Sequence, residues 1–118
     1  MSTPEAREEA LSALYAAETT GEPDAEGLPA KARRLVDGVW THRADLDATI
    51  ASYATGWRVE RMPAIDRNIL RIGTYELLHT STPAPVVINE AVELAKRFST
   101  TKSGAFINGV LEAVRKGA

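Results

Sequence analysis

Apolar residues along this chain recur three and four positions apart, the spacing that places them on one face of an α-helix, and no run of alternating strand positions breaks the pattern. Thr3-Pro4-Glu5 joins a hydroxyl cap, a proline suited to the first helical position and an acid in the first turn, so a helix is predicted to begin there. Ala10, Leu11, Leu14 and Ala17 give it one narrow apolar face, and it is expected to fail near Thr19-Thr20-Gly21. Residues 21–28 (GEPDAEGL) read as a turn-rich connector. A longer helix is expected from about Pro29, with Leu35, Val36, Val39 and Trp40 as its first stripe and Leu46, Ile50 and Tyr53 continuing it. The stripe is interrupted at 41–44, where a bend is expected.

Gly56 and Pro63 bracket a short segment whose Trp57 is expected to pack across a helix junction. Met62, Ile65, Ile69 and Ile72, widened by Leu70, Leu77 and Leu78, mark a third major helix broad enough to lie between two others. Ser81-Thr82-Pro83-Ala84-Pro85 ends it. Val87, Ile88, Ala91, Leu94, Ala95 and Phe98 form the next stripe, with Glu93 and Arg97 expected to pair at i,i+4 on its exposed side. Ser99 to Gly104 reads as a polar turn, and Phe106, Ile107, Val110, Leu111 and Val114 as a last helix closing on Arg115-Lys116-Gly117. Gly109 is expected to mark a close helix approach. Short loops joining several helices imply an all-α, compact helical bundle.

Length adds a single domain, 1–118, because independent domains most often hold about 100–150 residues. The absence of cysteine excludes disulfides and thiolate metal sites. No basic and apolar leader is visible in residues 1–10, and no apolar run approaches the ~20 residues of a membrane span, so a cytoplasmic protein is expected. The net charge of −2 conceals a polarity. Residues 1–30 hold seven acids against one base, Arg7, whereas the remainder holds thirteen bases against nine acids. A basic C-terminal part is compatible with an anionic partner.

Catalysis finds no footing in these residues. His42 and His79 are the only histidines, neither has an acid at ligand spacing, and no GxxxxGK[ST] loop occurs. No metal or cofactor is expected, and the chain is not expected to be an enzyme.

Four ordered blocks carry a resemblance: residues 6–15 (AREEALSALY), 65–78 (IDRNILRIGTYELL), 86–98 (VVINEAVELAKRF) and 106–111 (FINGVL). Together they resemble the NusB antitermination family in order and spacing, over essentially the whole chain outside the connector. The resemblance implies a fold of two small packed helical subdomains. It also implies a role in transcription antitermination, binding boxA-type RNA together with the ribosomal protein NusE within the transcription elongation complex. Two departures are plain. Where the family carries a basic cluster before the Arg7 position, this chain has Ser2, Thr3, Pro4 and Glu5, and its connector after the first helix is short.

RNA affinity comes largely from phosphates neutralised by Lys and Arg, and single-stranded bases are read by stacking on aromatic planes. The resemblance therefore selects Arg7, Tyr15, Lys102, Ser103 and Phe106 as RNA-binding candidates. Three of them have a structural alternative: Arg7 as an exposed partner of Glu8, Tyr15 as a half-buried edge of the core, Phe106 as part of a stripe with Val110 and Val114. Asp66, Arg71 and Tyr75 fall where the family presents a protein-docking face, and a solvated helix face is their alternative. Two other functions compete. The acidic N-terminal part suits a protein-only module or homodimer. A NusB-like accessory domain of an rRNA cytosine methyltransferase is the enzyme-class alternative, although the chain has no cofactor-binding glycine motif and no cysteine nucleophile.

Overall fold

The structure, a computed structural model, describes residues 3–117. Ser2 of the N-terminal departure and the outer ends of the expected 1–118 domain fall outside them. Among the described residues six α-helices run in order: α1 (Pro4–Thr20), α2 (Ala30–Thr41), α3 (Arg43–Tyr53), α4 (Ala64–His79), α5 (Ala84–Phe98) and α6 (Thr101–Gly117). A single 3₁₀ turn, Val59–Arg61, precedes α4.

Local chemistry sets the helix ends. Thr3 Oγ1 accepts a hydrogen bond from the Ala6 N–H at 3.1 Å, and Pro4 occupies the position where a missing N–H costs nothing. Gly21 closes α1 with φ +94°, its N–H donating to Ala17 O, a conformation that a side chain would strain. The expected bend at 41–44 is a full break: His42 ends α2 and begins α3. At the far end, α6 starts at Thr101, earlier than the polar pattern of 99–104 suggests. The reason is Thr100, whose Oγ1 accepts from the Ser103 N–H at 3.0 Å and caps the helix.

Helix α1 pairs with α2, and α5 pairs with α6, while α4 packs against all the other helices and joins the two groups. Its composition explains that position. Ile69, Leu70 and Ile72 are buried together with Gly73, and a Cβ at Gly73 would stand 2.7 Å from Leu111 Cδ1 of α6. Gly73 is thus a close-approach glycine of α4, whereas Gly109 faces open space. Leu11 and Leu14 of α1, Val36 and Val39 of α2, Leu46 and Ile50 of α3, Leu94 of α5, and Ile107 and Leu111 of α6 join the same core.

Two polar groups tie distant helices through α4. Arg7 of α1 and Glu76 of α4 form a two-pronged ion pair inside the core: Nε donates to Oε1 at 2.7 Å and Nη2 to Oε2 at 2.8 Å, with the side chains 2% and 1% exposed. At the surface, Glu18 of α1 receives Arg67 through two hydrogen bonds, at 2.8 and 3.0 Å, and Arg71 at 3.1 Å. Arg71 also donates to both oxygens of Asp47 at 2.8 Å. Burial pushes the Glu18 carboxyl up, but the Arg67 and Asn68 hydrogen bonds and the two guanidinium charges outweigh it, so its pKa lies below the ordinary 4.5. Glu93 meets Lys96 rather than Arg97, and Arg97 reaches across to Glu8 of α1.

Candidate nucleic-acid interface

The N-terminal end of α4 is where four elements meet at the surface. Ile65 floors a groove that Leu11, Ser12 and Tyr15 of α1 and Phe98 of α5 also line, about 400 Å³ in volume. Tyr15 is 49% exposed and Phe98 is 45% exposed. One residue further on, Asp66 Oδ2 accepts from Ser103 Oγ at 2.7 Å, which fixes the first turn of α6 against α4. That turn carries Lys102, exposed and without an ion pair among the described residues, and Phe106 lies one turn on. Phe106 is half-buried and meets the Trp57 ring with centroids 5.4 Å apart and planes tilted by 56°. Aromatic faces and a free ammonium therefore lie along one end of the molecule, on helices that the core holds rigid.

Five of the eight candidate residues have other duties. Arg7 is the clearest correction. Its guanidinium is enclosed and saturated by Glu76, so it can reach neither a phosphate nor Glu8. Asp66 is buried under Ser103, and its Oδ1 meets no donor among the described residues, so it is not part of an open docking face. Ser103 is partly buried, spends its proton on Asp66 and accepts from the Ser99 and Thr100 hydroxyls at 3.0 Å, so it positions the α6 turn. Arg71 is committed to Asp47 and Glu18, and although burial alone would lower its pKa, the Asp47 and Glu18 contacts raise it. Tyr75 is half-buried over Gly38, where a Cβ would collide with the phenol ring, and stacks beside His79 at 5.4 Å. Tyr15, Lys102 and Phe106 remain, and the structure brings them to one end.

Two residues of this surface escape the periodicity. Phe98 continues the apolar spacing of α5, yet it lies beyond the reach of the core because the helix ends there. Trp57 is expected between helices but is 55% exposed. Gly56, at φ +80°, turns the chain so that the Trp57 N–H donates to Ala54 O at 2.9 Å and the indole points outward. The signal available in the sequence was their position at element ends, where apolar spacing no longer guarantees burial.

The lining is not uniformly favourable to an anion. Glu8 and Glu9 edge the Tyr15 groove. Arg97 meets Glu8, while Glu9 has no ion pair among the described residues. On the other side of α6, Pro85, Ile88 and Val92 of α5 face Gly104 and Ala105 across a second groove of about 540 Å³.

These features define a class: an all-helical binding module whose exposed chemistry is rings and charges on a fixed frame. The NusB family model matches residues 4–116. The transcription antitermination protein NusB of Symbiobacterium thermophilum is 45% identical over 139 aligned positions, which cover 99% of this chain and 91% of that protein. The solved structure of T. maritima NusB superposes with a TM-score of 0.86 at 34% identity, covering 98% of this chain and 93% of that one. A structure of antitermination factors NusB and NusE in complex with dsRNA gives 0.84 at 28% identity, covering 98% and 96%. The chain belongs to the NusB family.

Proposed function

We propose that this protein is a transcription antitermination factor, a non-catalytic adaptor that holds boxA-type RNA on the Tyr15–Phe98–Lys102–Phe106 end and a NusE-type ribosomal protein beside it. The observation that carries the reading is the set of exposed and half-buried rings next to Lys102, which has no ion pair among the described residues, on one end of the bundle. Bases stack on aromatic faces without needing a particular sequence, and an ammonium in the same stretch neutralises a phosphate. The α5–α6 groove, apolar in its floor and adjacent to that turn, supports docking of the protein partner. The antitermination proteins named above support the pairing of RNA with NusE. A cytoplasmic location goes with that role, and no described helix is long and apolar enough to cross a membrane.

An adaptor of this kind works by mutual reinforcement. RNA and protein ligand each lower the free energy of the other's binding by the same amount, because the coupling is reciprocal. The test is a titration of labelled boxA-type RNA at two salt concentrations, with and without the NusE-type protein. Affinity is expected to fall steeply with salt, to rise with the partner, and to drop when Lys102 is changed to Glu. Equal RNA binding with and without the partner overturns the adaptor reading.

A protein-only reading draws on one specific observation, the two glutamates that edge the apolar Tyr15 groove. It predicts a dimer in light scattering that Phe98→Glu dissociates. A monomer that binds RNA excludes it.

A further inference from the structure

We propose that Trp57 is an additional base-stacking platform, extending the single-stranded RNA path past Phe106 to the turn between α3 and α4. The inference rests on the RNA-binding reading above and assigns that site a residue beyond the candidates already named. An indole that is 55% exposed is an unusual use of the largest apolar side chain. This one is not a loose loop residue. Its backbone is fixed by the hydrogen bond to Ala54 O, and Phe106 braces one edge of its ring at a 56° tilt. A braced ring with a free face has lost its mobility before a ligand arrives, so stacking a base on it forfeits little further entropy.

The charges around the ring suit a nucleotide. Trp57 borders a depression of about 530 Å³ in which Ala48, Ala51 and Val59 alternate with charged side chains, among them Arg58, Glu60 and the Glu18–Arg67 pair. The acids deepest in it are already neutralised, Glu18 by Arg67 and Arg71, and Asp47 by Arg71. Arg58 meets Glu60 only at 3.9 Å, with both side chains about 70% exposed, so its guanidinium can turn to a phosphate. Arg61 follows in the same 3₁₀ turn, exposed and without an ion pair among the described residues. A ring for the base and a cation, Arg58, for the backbone are the elements from which single-strand grooves are built.

The experiment uses the full chain with Trp40 replaced by Phe, since Trp40 and Trp57 are its two tryptophans. Folding is checked by circular dichroism. Single-stranded oligoribonucleotides containing a boxA-type sequence and lengthened stepwise at either end are titrated while the emission of Trp57 is followed. Quenching is expected once the RNA reaches a threshold length at one end. Trp57→Ala is expected to lose about 5- to 100-fold in affinity for RNA above that length and nothing below it, the range expected for one stacked base. Trp57→Phe should keep most of the affinity. Phe106→Ala should weaken binding at every length, which separates this site from the one next to it.

Unchanged emission on binding of every RNA, with unchanged affinity of Trp57→Ala, overturns the inference and leaves the parent reading intact. A response of Trp57 to the NusE-type protein alone, and none to RNA, assigns the ring to a protein contact instead and equally overturns it. If the unaltered protein binds no RNA at low salt, alone or with the NusE-type protein, both readings fall together.

Discussion

Removing one partner of the Arg7–Glu76 pair should cost far more than removing both. Two parallel hydrogen bonds of 2.7 and 2.8 Å hold the charges together where solvent does not reach. Arg7→Met leaves the Glu76 carboxylate enclosed with no counter-charge, and such singly broken buried pairs lose about 3–5 kcal/mol. A chain of 118 residues has a total stability of roughly 6–18 kcal/mol, at 0.05–0.15 per residue. Its unfolding entropy near 60 °C is about 0.25 kcal/mol/K, from 2.1 cal/mol/K per residue. The single substitution should therefore lower Tm by about 12–20 °C. Arg7→Met combined with Glu76→Leu replaces the pair by apolar groups of similar bulk and should recover most of the loss, because no charge is then stranded. Urea unfolding followed by circular dichroism on the two single variants and the double gives the coupling energy directly. Single losses below about 1 kcal/mol, or a double variant as unstable as the sum of the singles, would refute the argument. The same variants decide the fate of Arg7 as an RNA contact: under conditions where they stay folded, the double variant should bind RNA as the unaltered protein does.

Other outcomes follow from the same geometry. Gly73→Ala drives a methyl into Leu111, which has no solvent to retreat into, so a loss of about 1–3 kcal/mol is expected despite the better helix former. Glu18 has a depressed pKa in the folded chain, so it contributes stability above its ordinary value of 4.5 that is lost as pH falls through the folded value. Denaturation midpoints should therefore drop below about pH 4.5, and Glu18→Gln should flatten that acid limb. Glu9→Lys turns an unpaired acid beside Tyr15 into a cation and should raise RNA affinity several-fold at low salt, an increase that added salt erases. Unchanged affinity at low salt would remove the α1 groove from the RNA path.

The helices were legible because their apolar faces keep the 3.6 period, and α1, α4 and α6 carry readable caps or core stripes. The contents of the surface were less legible. Periodicity reports which residues share a face of one helix, but not whether a neighbour covers that face. Phe98 obeys the α5 spacing and is left outside because its helix stops, whereas Arg7 breaks the apolar pattern of α1 and is enclosed because Glu76 waits 69 residues later. A partner at that separation leaves no local mark. Glycines behaved in the same way: Gly73 and Gly109 both sit inside apolar helices, and only the packing of α6 on α4 tells them apart. Lys102 and Phe106 could be selected by resemblance, but their neighbour Ser103 could not be recognised as an internal brace until Asp66 was seen beneath it.

The position of α4 has a consequence for how the chain is made. A helix that touches every other one cannot be wrapped until the last of them has been synthesised, so Leu111 must be available before the interior is sealed. Emerging polypeptide that stops short of α6 would leave Ile107, Val110 and Leu111 out of the interior and one side of α4 bare, an invitation to aggregation and proteolysis rather than to partial function. The same order of events delays the end proposed to hold RNA, since Tyr15 comes from α1 and Phe106 from α6. On the proposed function, a chain arrested before α6 would bring Tyr15 without Phe106 and so only part of the surface offered to RNA.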